Sequence, residues 1–311
     1  MSKITLCVGF DYHDDSIRVC VMDEDGNSLV NRAVANDVGA VIELVSQYGS
    51  FAVCAVEACC GSSDFAHRLR TSTGWDVRLA LKQSPDKSDH DDAELLADLV
   101  RVKYLPEVWL APTATRELRR LVRYRQQLKR NRTELKLQIR ALLREERITP
   151  PANAWTKAWR GWLEEAAELS AATRWILTEQ FARLGELAER VKRVEQELRR
   201  ATAEDRTTQE LQRHDGIGFV TAVTLAAEIG RFGRFRSGKQ LARYCGLSPC
   251  NASTGKRQAD AGLVRAGNRE LRGVLIEAAH RLAQHDPKWR ALRDQLRKRK
   301  PYNVALAAVA N

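Results

Sequence analysis

The chain has 311 residues, and 51 Lys+Arg against 40 Asp+Glu give it a formal net charge of +11. This length suits about two domains, and the basic charge points to a polyanionic partner such as nucleic acid. No apolar stretch approaches the roughly 20 residues of a membrane span and no signal peptide is evident, so we expect no membrane association and a cytoplasmic, nucleoid-associated protein.

The charges are segregated along the chain. Residues 1–110 carry 10 Lys+Arg against 18 Asp+Glu, a net of −8, whereas the remainder carries 41 against 22, a net of +19. A uniformly basic surface would explain the total charge but not this segregation. The pattern favours an acidic metal site joined to a nucleic-acid-binding part.

The first ~110 residues alternate strand and helix patterns. The segments ITLCVGFD, SIRVCVMD and SLVNRAV predict a three-stranded meander, and the later segments FAVCAVE and WDVRLAL predict two strands separated by helices. A last helix begins within KSDHDDAELLADL. This order is that of a ribonuclease H-like, or RuvC-like, α/β domain, which we assign to residues 1–112.

Four carboxylates fall at the ends of these elements. Asp11 closes the first strand, Glu57 closes the fourth, and Asp89 and Asp92 open the last helix. Neighbouring strands can bring such residues together, and residues three apart share a helix face. Acids held this close repel one another unless a cation neutralises them, so the pattern predicts a metal site for phosphodiester chemistry.

Heptad patterns mark the middle of the chain, residues 113–205. There are two heptad runs: one of leucines beginning at Leu121, and one of apolar residues over 184–198. Arg125 and Arg132 interrupt the leucine run. We predict a basic, imperfect coiled coil, formed either as an antiparallel hairpin within the chain or between chains; plain bundle helices are the alternative. The first run consists of leucines seven residues apart, Leu121, Leu128, Leu135 and Leu142.

The C-terminal part, residues 206–311, is predicted to be mostly helical. Gly216 and Gly218 lie between two helical runs, a pattern typical of a helix-hairpin-helix whose backbone approaches a phosphate, although an ordinary turn would look the same. Further along, Ser253 stands in a polar, glycine-rich segment where cations could stabilise its attack on a phosphodiester. Those cations are Lys256, Arg257, Arg265 and Arg269.

These motifs together resemble the DEDD transposases of the bacterial insertion sequence 110 family over nearly the whole chain. The resemblance is carried by the acids that end the first and fourth strands, by the K-S-D-x-x-D-A block at Lys87–Ala93, and by a C-terminal stretch. That stretch runs through DGIG, FRSGKQLARYCGLSP, NASTG and AGLVRAGNRELR.

The resemblance implies an RNA-guided recombinase. Asp11, Glu57, Asp89 and Asp92 would bind Mg²⁺ or Mn²⁺, and Ser253 would form a phosphoserine link to DNA. Thr254 stands where many relatives have a second serine, and Ser248 is the less favoured alternative because it lacks the following glycine. The implied partners are double-stranded donor and target DNA, a noncoding guide (bridge) RNA, and further copies of the chain, from dimer to tetramer. Relatives usually continue beyond the point corresponding to Asn311.

Two other functions are compatible with the residues. The first is a RuvC-like, metal-dependent endonuclease or Holliday-junction resolvase that uses water, with Ser253 structural. The second is a non-enzymatic nucleic-acid-binding scaffold whose acids only cap strands and helices.

Overall fold

The computed structural model describes residues 5–81, 89–148, 153–165, 168–251 and 260–311. The chain divides into two compact units, Met1–Thr113 and Ala114–Asn311. The further division of the second unit at residues 205 and 206 stays a prediction. Within the described ranges, no helix is long and apolar enough to cross a membrane.

The first unit is a mixed α/β layer structure, as the strand and helix patterns predict. Its sheet has the order β3-β2-β1-β4-β5-β6, with β1 parallel to β4 and β4 parallel to β5. The remaining pairs are antiparallel. The strands are β1 (Thr5–Tyr12), β2 (Ser16–Met22), β3 (Ser28–Ala35), β4 (Phe51–Glu57), β5 (Asp76–Ala80) and β6 (Glu107–Val108), and the helices are α1 (Val38–Ser46), α2 (Ser62–Thr73) and α3 (Asp89–Arg101).

Alternation along β1 separates the two faces of the sheet. Leu6, Val8 and Phe10 are fully buried in one core, which also contains apolar residues of α1 and α2. Cys7 faces the opposite side, where it shares a second core with residues of α3. Because successive side chains of a strand point to opposite faces, Asp11 lies on the α3 side together with Cys7 and Gly9.

Gly9 lets α3 lie directly on the central strand. A Cβ atom at this position would stand 1.9 Å from the carbonyl oxygen of Ala93 and 2.7 Å from the amide nitrogen of Ala97. Both distances are far below van der Waals contact, so any side chain here would push the helix away. Small residues on both elements therefore set the height of α3 above the sheet.

The second unit is predominantly helical. Besides a two-stranded hairpin it contains a 3-10 turn at Phe232–Arg234. The hairpin strands are β7 (Pro249–Asn251) and β8 (Asp260–Leu263). The helices are α4 (Thr113–Glu145), α5 (Lys157–Glu165), α6 (Ala171–Ala201), α7 (Arg206–Gln212), α8 (Phe219–Ile229), α9 (Gly238–Tyr244), α10 (Arg269–His285), α11 (Pro287–Arg297) and α12 (Tyr302–Ala310).

The two heptad runs pack against each other within this chain. Arg125, early in α4, pairs with Glu195, late in α6, at 2.6 Å. At the other end, Glu146 follows α4 and accepts a hydrogen bond from the hydroxyl of Ser170, the residue that caps the start of α6. The helices are therefore antiparallel, which matches the predicted in-chain hairpin. Supercoiling of the pair stays a prediction.

Arg125 has a reason to interrupt the leucine pattern. Its side chain is only 9% exposed, and its Nε donates to the Glu195 carboxylate at 2.8 Å. A buried guanidinium needs such a carboxylate partner to offset its lost hydration.

A buried carboxylate joins four elements of the second unit. Glu228 of α8 accepts two hydrogen bonds from the Arg123 guanidinium, at 2.8 and 2.9 Å, and one from the Asn268 side-chain amide at 2.9 Å. Its backbone carbonyl accepts from the Tyr244 hydroxyl and from Arg119, both at 3.1 Å. We call this set the Glu228 network. It ties α4, α8, α9 and the start of α10 together.

We predict that Gly9→Ala lowers the midpoint of urea denaturation, followed by far-ultraviolet circular dichroism. The new methyl group must displace the backbone of α3, at a cost of about 1–3 kcal/mol in the free energy of unfolding. Gly273→Ala is the matched control, because a Cβ atom there meets nothing within 4 Å inside α10. The control should be neutral or stabilise by up to about 1 kcal/mol. An unchanged midpoint for Gly9→Ala would show that α3 does not rest on β1.

We also predict that the two sides of the Glu228 network respond unequally. Arg123→Ala leaves a carboxylate that is 2% exposed without its cation, and should cost about 3–5 kcal/mol of unfolding free energy. Glu228→Gln should cost less, about 1–3 kcal/mol, because the Arg123 side chain is 60% exposed and water can solvate it. Chemical denaturation measures both, with the exposed Arg183→Ala as control. Equal losses would contradict this account.

Candidate active site

Two of the predicted acids come together at the ends of adjacent parallel strands. Phe10 of β1 pairs with Val56 of β4, so the next residues, Asp11 and Glu57, stand at the same level. Residues at one level of adjacent parallel strands project to the same face. That face is the one covered by α3, because Ala55 lies in the same core as Ala93 and Ala97. The sheet therefore presents two carboxylates beside the start of α3.

The other two acids belong to the first turn of α3, which begins at Asp89. Asp92 is 8% exposed and immediately precedes Ala93, the residue that lies on Gly9. The charges of Asp98 and Arg101, at the end of α3, act on the Cys7 thiol. Gly9, in contrast, lies under Ala93 and Ala97. The helix start therefore lies toward the Asp11 end of β1. The side chain of Asp89 lies outside the described part of the structure. The backbone nevertheless brings all four predicted positions to one edge of the sheet.

Asp11 has a histidine neighbour, His13, which is not among the site residues predicted from the sequence. The Asp11 carboxylate is buried, and the His13 Nε2 atom lies 2.9 Å from its Oδ2 atom. The His13 ring is 45% exposed. His13 directly follows β1, which ends at Tyr12. Residues two apart along an extended chain lie on one face, and this spacing is the signal that could have identified the pair.

The thiol of Cys59 lies within the electrostatic influence of Asp11 and Glu57. Burial raises the pKa of its thiol, and the negative charges of Glu57 and Asp11 raise it further, while a hydrogen bond with Ser62 opposes the shift. A thiol with a raised pKa is a poor nucleophile at neutral pH. Cys59 thus marks the electrostatic character of the site without being a candidate for its chemistry.

The donor set at this edge suits a hard divalent cation. Carboxylate oxygens are the ligands that Mg²⁺ and Mn²⁺ prefer. Among the side chains that the structure describes, no group of three or more His, Cys, Asp or Glu residues is close enough to hold a metal ion. Asp89 is not among those side chains, so the four-carboxylate set stays a prediction.

The predicted nucleophile belongs to the hairpin of the second unit. Ser253, Thr254, Lys256 and Arg257 lie outside the described residues. The flanking strands are described: Pro249 pairs with Leu263, and Asn251 pairs with Asp260.

The alternative serine, Ser248, stands at the base of this hairpin. Its carbonyl oxygen accepts a hydrogen bond from the Val264 amide at 3.0 Å, and its side chain is partly exposed. In the sequence, Ser253 lies between Asn251 of β7 and Asp260 of β8. The hairpin strands therefore bracket the segment that carries Ser253.

The remaining predicted nucleic-acid contacts differ in what surrounds them. Arg265 and Arg269 are exposed, and Gly218 is open, since a Cβ atom there would meet nothing within 4 Å. Gly216 has φ +78°, and a Cβ atom there would stand 2.9 Å from the Leu282 side chain. Packing against α10 is thus a structural reason for glycine at 216, and its phosphate contact stays a prediction.

Comparisons with known proteins cover both the four acids and the predicted serine. A family described as "Transposase IS116/IS110/IS902 family" matches residues 208–294, and a second transposase family, of the insertion sequence 110 type, matches residues 8–148. These ranges contain Ser253 and the four acids, respectively.

Individual relatives match along most of their length. The transposase for insertion sequence element IS1111A of Coxiella burnetii is 27% identical over 288 residues, which is 89% of this chain and 78% of that protein. The IS1328 transposase of Yersinia enterocolitica is 26% identical over 90% of this chain and 84% of its own length. A Pseudomonas aeruginosa protein named "Probable family 20 transposase" is 31% identical over 83% and 80%. The chain therefore belongs to the IS116/IS110/IS902 family of transposases.

Proposed function

We propose that this transposase carries out RNA-guided cleavage, exchange and rejoining of DNA, using a serine nucleophile assisted by a four-carboxylate metal site. Membership of the family supports DNA transposition. The observation that carries the finer proposal is the convergence of Asp11, Glu57 and the start of α3 at one sheet edge. Acids that only capped strands and helices would have no reason to stand on three elements whose termini lie at one sheet edge.

The sheet order supports a RuvC-like domain. Three antiparallel strands are followed by two parallel strands reached through helices, and a final helix crosses the central strands. In a ribonuclease H-like domain the acids stand on the first strand, the fourth strand and the last helix. Asp11, Glu57 and Asp92 occupy these positions.

A divalent cation fits the residues of the first unit. Asp11, Glu57, Asp89 and Asp92 would hold it, and it would supply Lewis-acid polarisation of the scissile phosphate. The Asp11 carboxylate is buried and stands at the same level as Glu57 of the adjacent parallel strand, so a cation there would offset the repulsion between the two. His13 would orient Asp11 through its 2.9 Å contact.

Ser253 would perform the transfer. Its hydroxyl oxygen forms a bond to phosphorus while one phosphorus–oxygen bond to a deoxyribose breaks, and the hydroxyl proton ends on the departing sugar oxygen. Because one phosphoester replaces another, the link stays reactive and rejoining to a second DNA end is the same exchange in reverse. Lys256 and Arg257 would stabilise the charge that develops on the phosphate.

The charge of the second unit supports binding of the guide RNA. Residues 116–147, which include most of α4, carry 12 basic and 4 acidic residues. Such a surface contacts phosphates without selecting a sequence, which suits a protein whose specificity resides in base pairing by RNA. Dimers or tetramers would let the acids of one copy serve the serine of another.

We predict that Ser253→Ala abolishes covalent protein–DNA adducts on nicked suicide substrates supplied with the guide RNA. The adduct requires the hydroxyl oxygen, whereas Thr254→Ala and Ser248→Ala should still form it. Denaturing gel electrophoresis of labelled DNA detects the shifted species. Adducts that persist in Ser253→Ala would remove the serine assignment.

Ser253→Ala, together with Asp11→Asn and Asp89→Asn, distinguishes the proposed recombinase from the nuclease and the scaffold. A nuclease that uses water retains cleavage in Ser253→Ala and loses it in Asp11→Asn, without any adduct in either. A scaffold shows no Mn²⁺ binding by calorimetry that depends on Asp11 and Asp89. The proposal requires metal binding that weakens in Asp11→Asn and Asp89→Asn but not in Ser253→Ala.

We predict that the chain purified from cells containing its own element retains one enriched RNA encoded beside its gene. Sequencing of the bound RNA measures the enrichment. Replacing the exposed Arg120 and Arg140 of α4 with Gln should reduce the yield of that RNA, because each replacement removes a positive charge that would contact phosphate. Recovery of bulk cellular RNA without enrichment would contradict RNA guidance.

A further inference from the structure

A pocket of about 530 Å³ opens beside the serine hairpin, where α9 meets the segments before it and after β8. Its volume lies within the roughly 300–1,000 Å³ range of small-ligand sites. Six residues give the pocket its chemistry. They are Arg234, Phe235, Gln240, Arg243, Tyr244 and Asn268.

The walls of the pocket are held in place by the surrounding structure. The Arg234 guanidinium lies 4.2 Å from the centre of the Phe235 ring and 4.5 Å from that of Tyr244, and its Nε atom donates to the Ile229 carbonyl at 3.2 Å. Tyr244 and Asn268 also belong to the Glu228 network. The stacked guanidinium and rings are therefore in position before any ligand binds.

The lining suits an anion that carries a planar ring. Guanidinium groups bind phosphate oxygens in a planar fork, and both aromatic rings and guanidinium planes stack on nucleobases. Residues 231–244 contain five Lys+Arg and no Asp or Glu. Arg243 is exposed, and its carbonyl oxygen lies 3.2 Å from where a Cβ atom of residue 267 would stand. Arg265 and Arg269, two residues to either side of Gly267, are also exposed, so an approaching phosphate meets positive charge near the pocket.

The pocket wall continues into the hairpin. Val264, which lines the pocket, directly follows β8, and its amide donates to the Ser248 carbonyl at 3.0 Å. Gly267 lies so close to Gly246 that a Cβ atom at 267 would stand 2.2 Å from the Gly246 Cα atom. The backbone that leaves the hairpin is thus fixed against the end of α9.

We propose that this pocket binds one unstacked nucleotide of the DNA strand that the serine attacks, with its phosphate on Arg243 and its base against the Arg234 stack. The choice of DNA rests on the proposed function, because the pocket adjoins the hairpin that carries Ser253. The pocket would hold the strand in place while the neighbouring phosphodiester is exchanged.

Binding of a fluorescein-labelled single-stranded DNA of mixed sequence, followed by fluorescence anisotropy over a range of salt concentrations, tests the pocket in the full chain. Arg243→Gln should weaken binding roughly tenfold at low salt, as expected for loss of a charged hydrogen bond. The slope of log affinity against log salt should fall by about 0.7, the value for one phosphate contact on a single strand. Phe235→Ala should weaken binding without changing that slope.

Two controls keep the result specific. Arg206→Gln removes the same charge from an exposed position beside Glu204 and Asp205, and should leave both affinity and slope unchanged. Arg243→Lys keeps the charge and should restore the slope but not the full affinity. Circular dichroism of each variant checks that the fold is retained.

The proposal fails if Arg243→Gln binds DNA with the wild-type affinity and slope, or if only binding to an RNA of the same sequence is weakened. Ser253→Ala is expected to bind the probe like the wild type. The two tests are therefore independent. Weaker DNA binding by Arg243→Gln would support the pocket even if adducts that persist in Ser253→Ala rejected the serine mechanism.

Discussion

The contact between Gly9 and α3 is the constraint on which the candidate metal site depends. A helix that crosses a sheet usually stands off by the length of the side chains between them. Here glycine on the strand and alanines on the helix bring the two backbones into direct contact. The start of α3 is thereby held at the level of the ends of β1 and β4, where the short side chains of aspartates can converge.

The Glu228 network has a similar role in the second unit. A single buried carboxylate satisfies Arg123 from α4 and Asn268 from the start of α10, and its backbone receives the Tyr244 hydroxyl at the end of α9. Asn268 also caps α10 by accepting hydrogen bonds from the Glu270 and Leu271 amides. Both strands of the hairpin connect to elements fixed in this way. A polar group that would be costly to bury alone thus fixes the helices from which the two hairpin strands extend.

Local patterns predicted the strands and the start of α3 well, because alternation in β1 and β4 and the first turn of α3 are expressed within a few residues. The joint role of the acids at these positions stays a prediction. The contact of Gly9 with α3 could not be predicted, since a glycine in a strand indicates only a weak strand until the helix packed on it is known. Glu228 stands out in the sequence as the single acid of an apolar helix. Its partners, however, lie 105 and 40 residues away. The pocket at Arg243 depends on three segments meeting, which no short-range pattern expresses.

The segregation of charge follows from the chemistry that the two units would share. A cluster of carboxylates repels the phosphates of DNA, so the first unit, with its excess of acids, cannot hold its own substrate without bound cations. The second unit, with a net charge of +19 beyond residue 110, can attract and hold the polyanion, because its 41 basic residues outnumber its 22 acidic ones. With the proposed nucleophile among the cations and the proposed metal ligands in the acidic unit, neither half would be active alone. In the proposed reaction, cleavage therefore requires that both halves engage the same phosphate, which couples strand breakage to assembly of the complete complex.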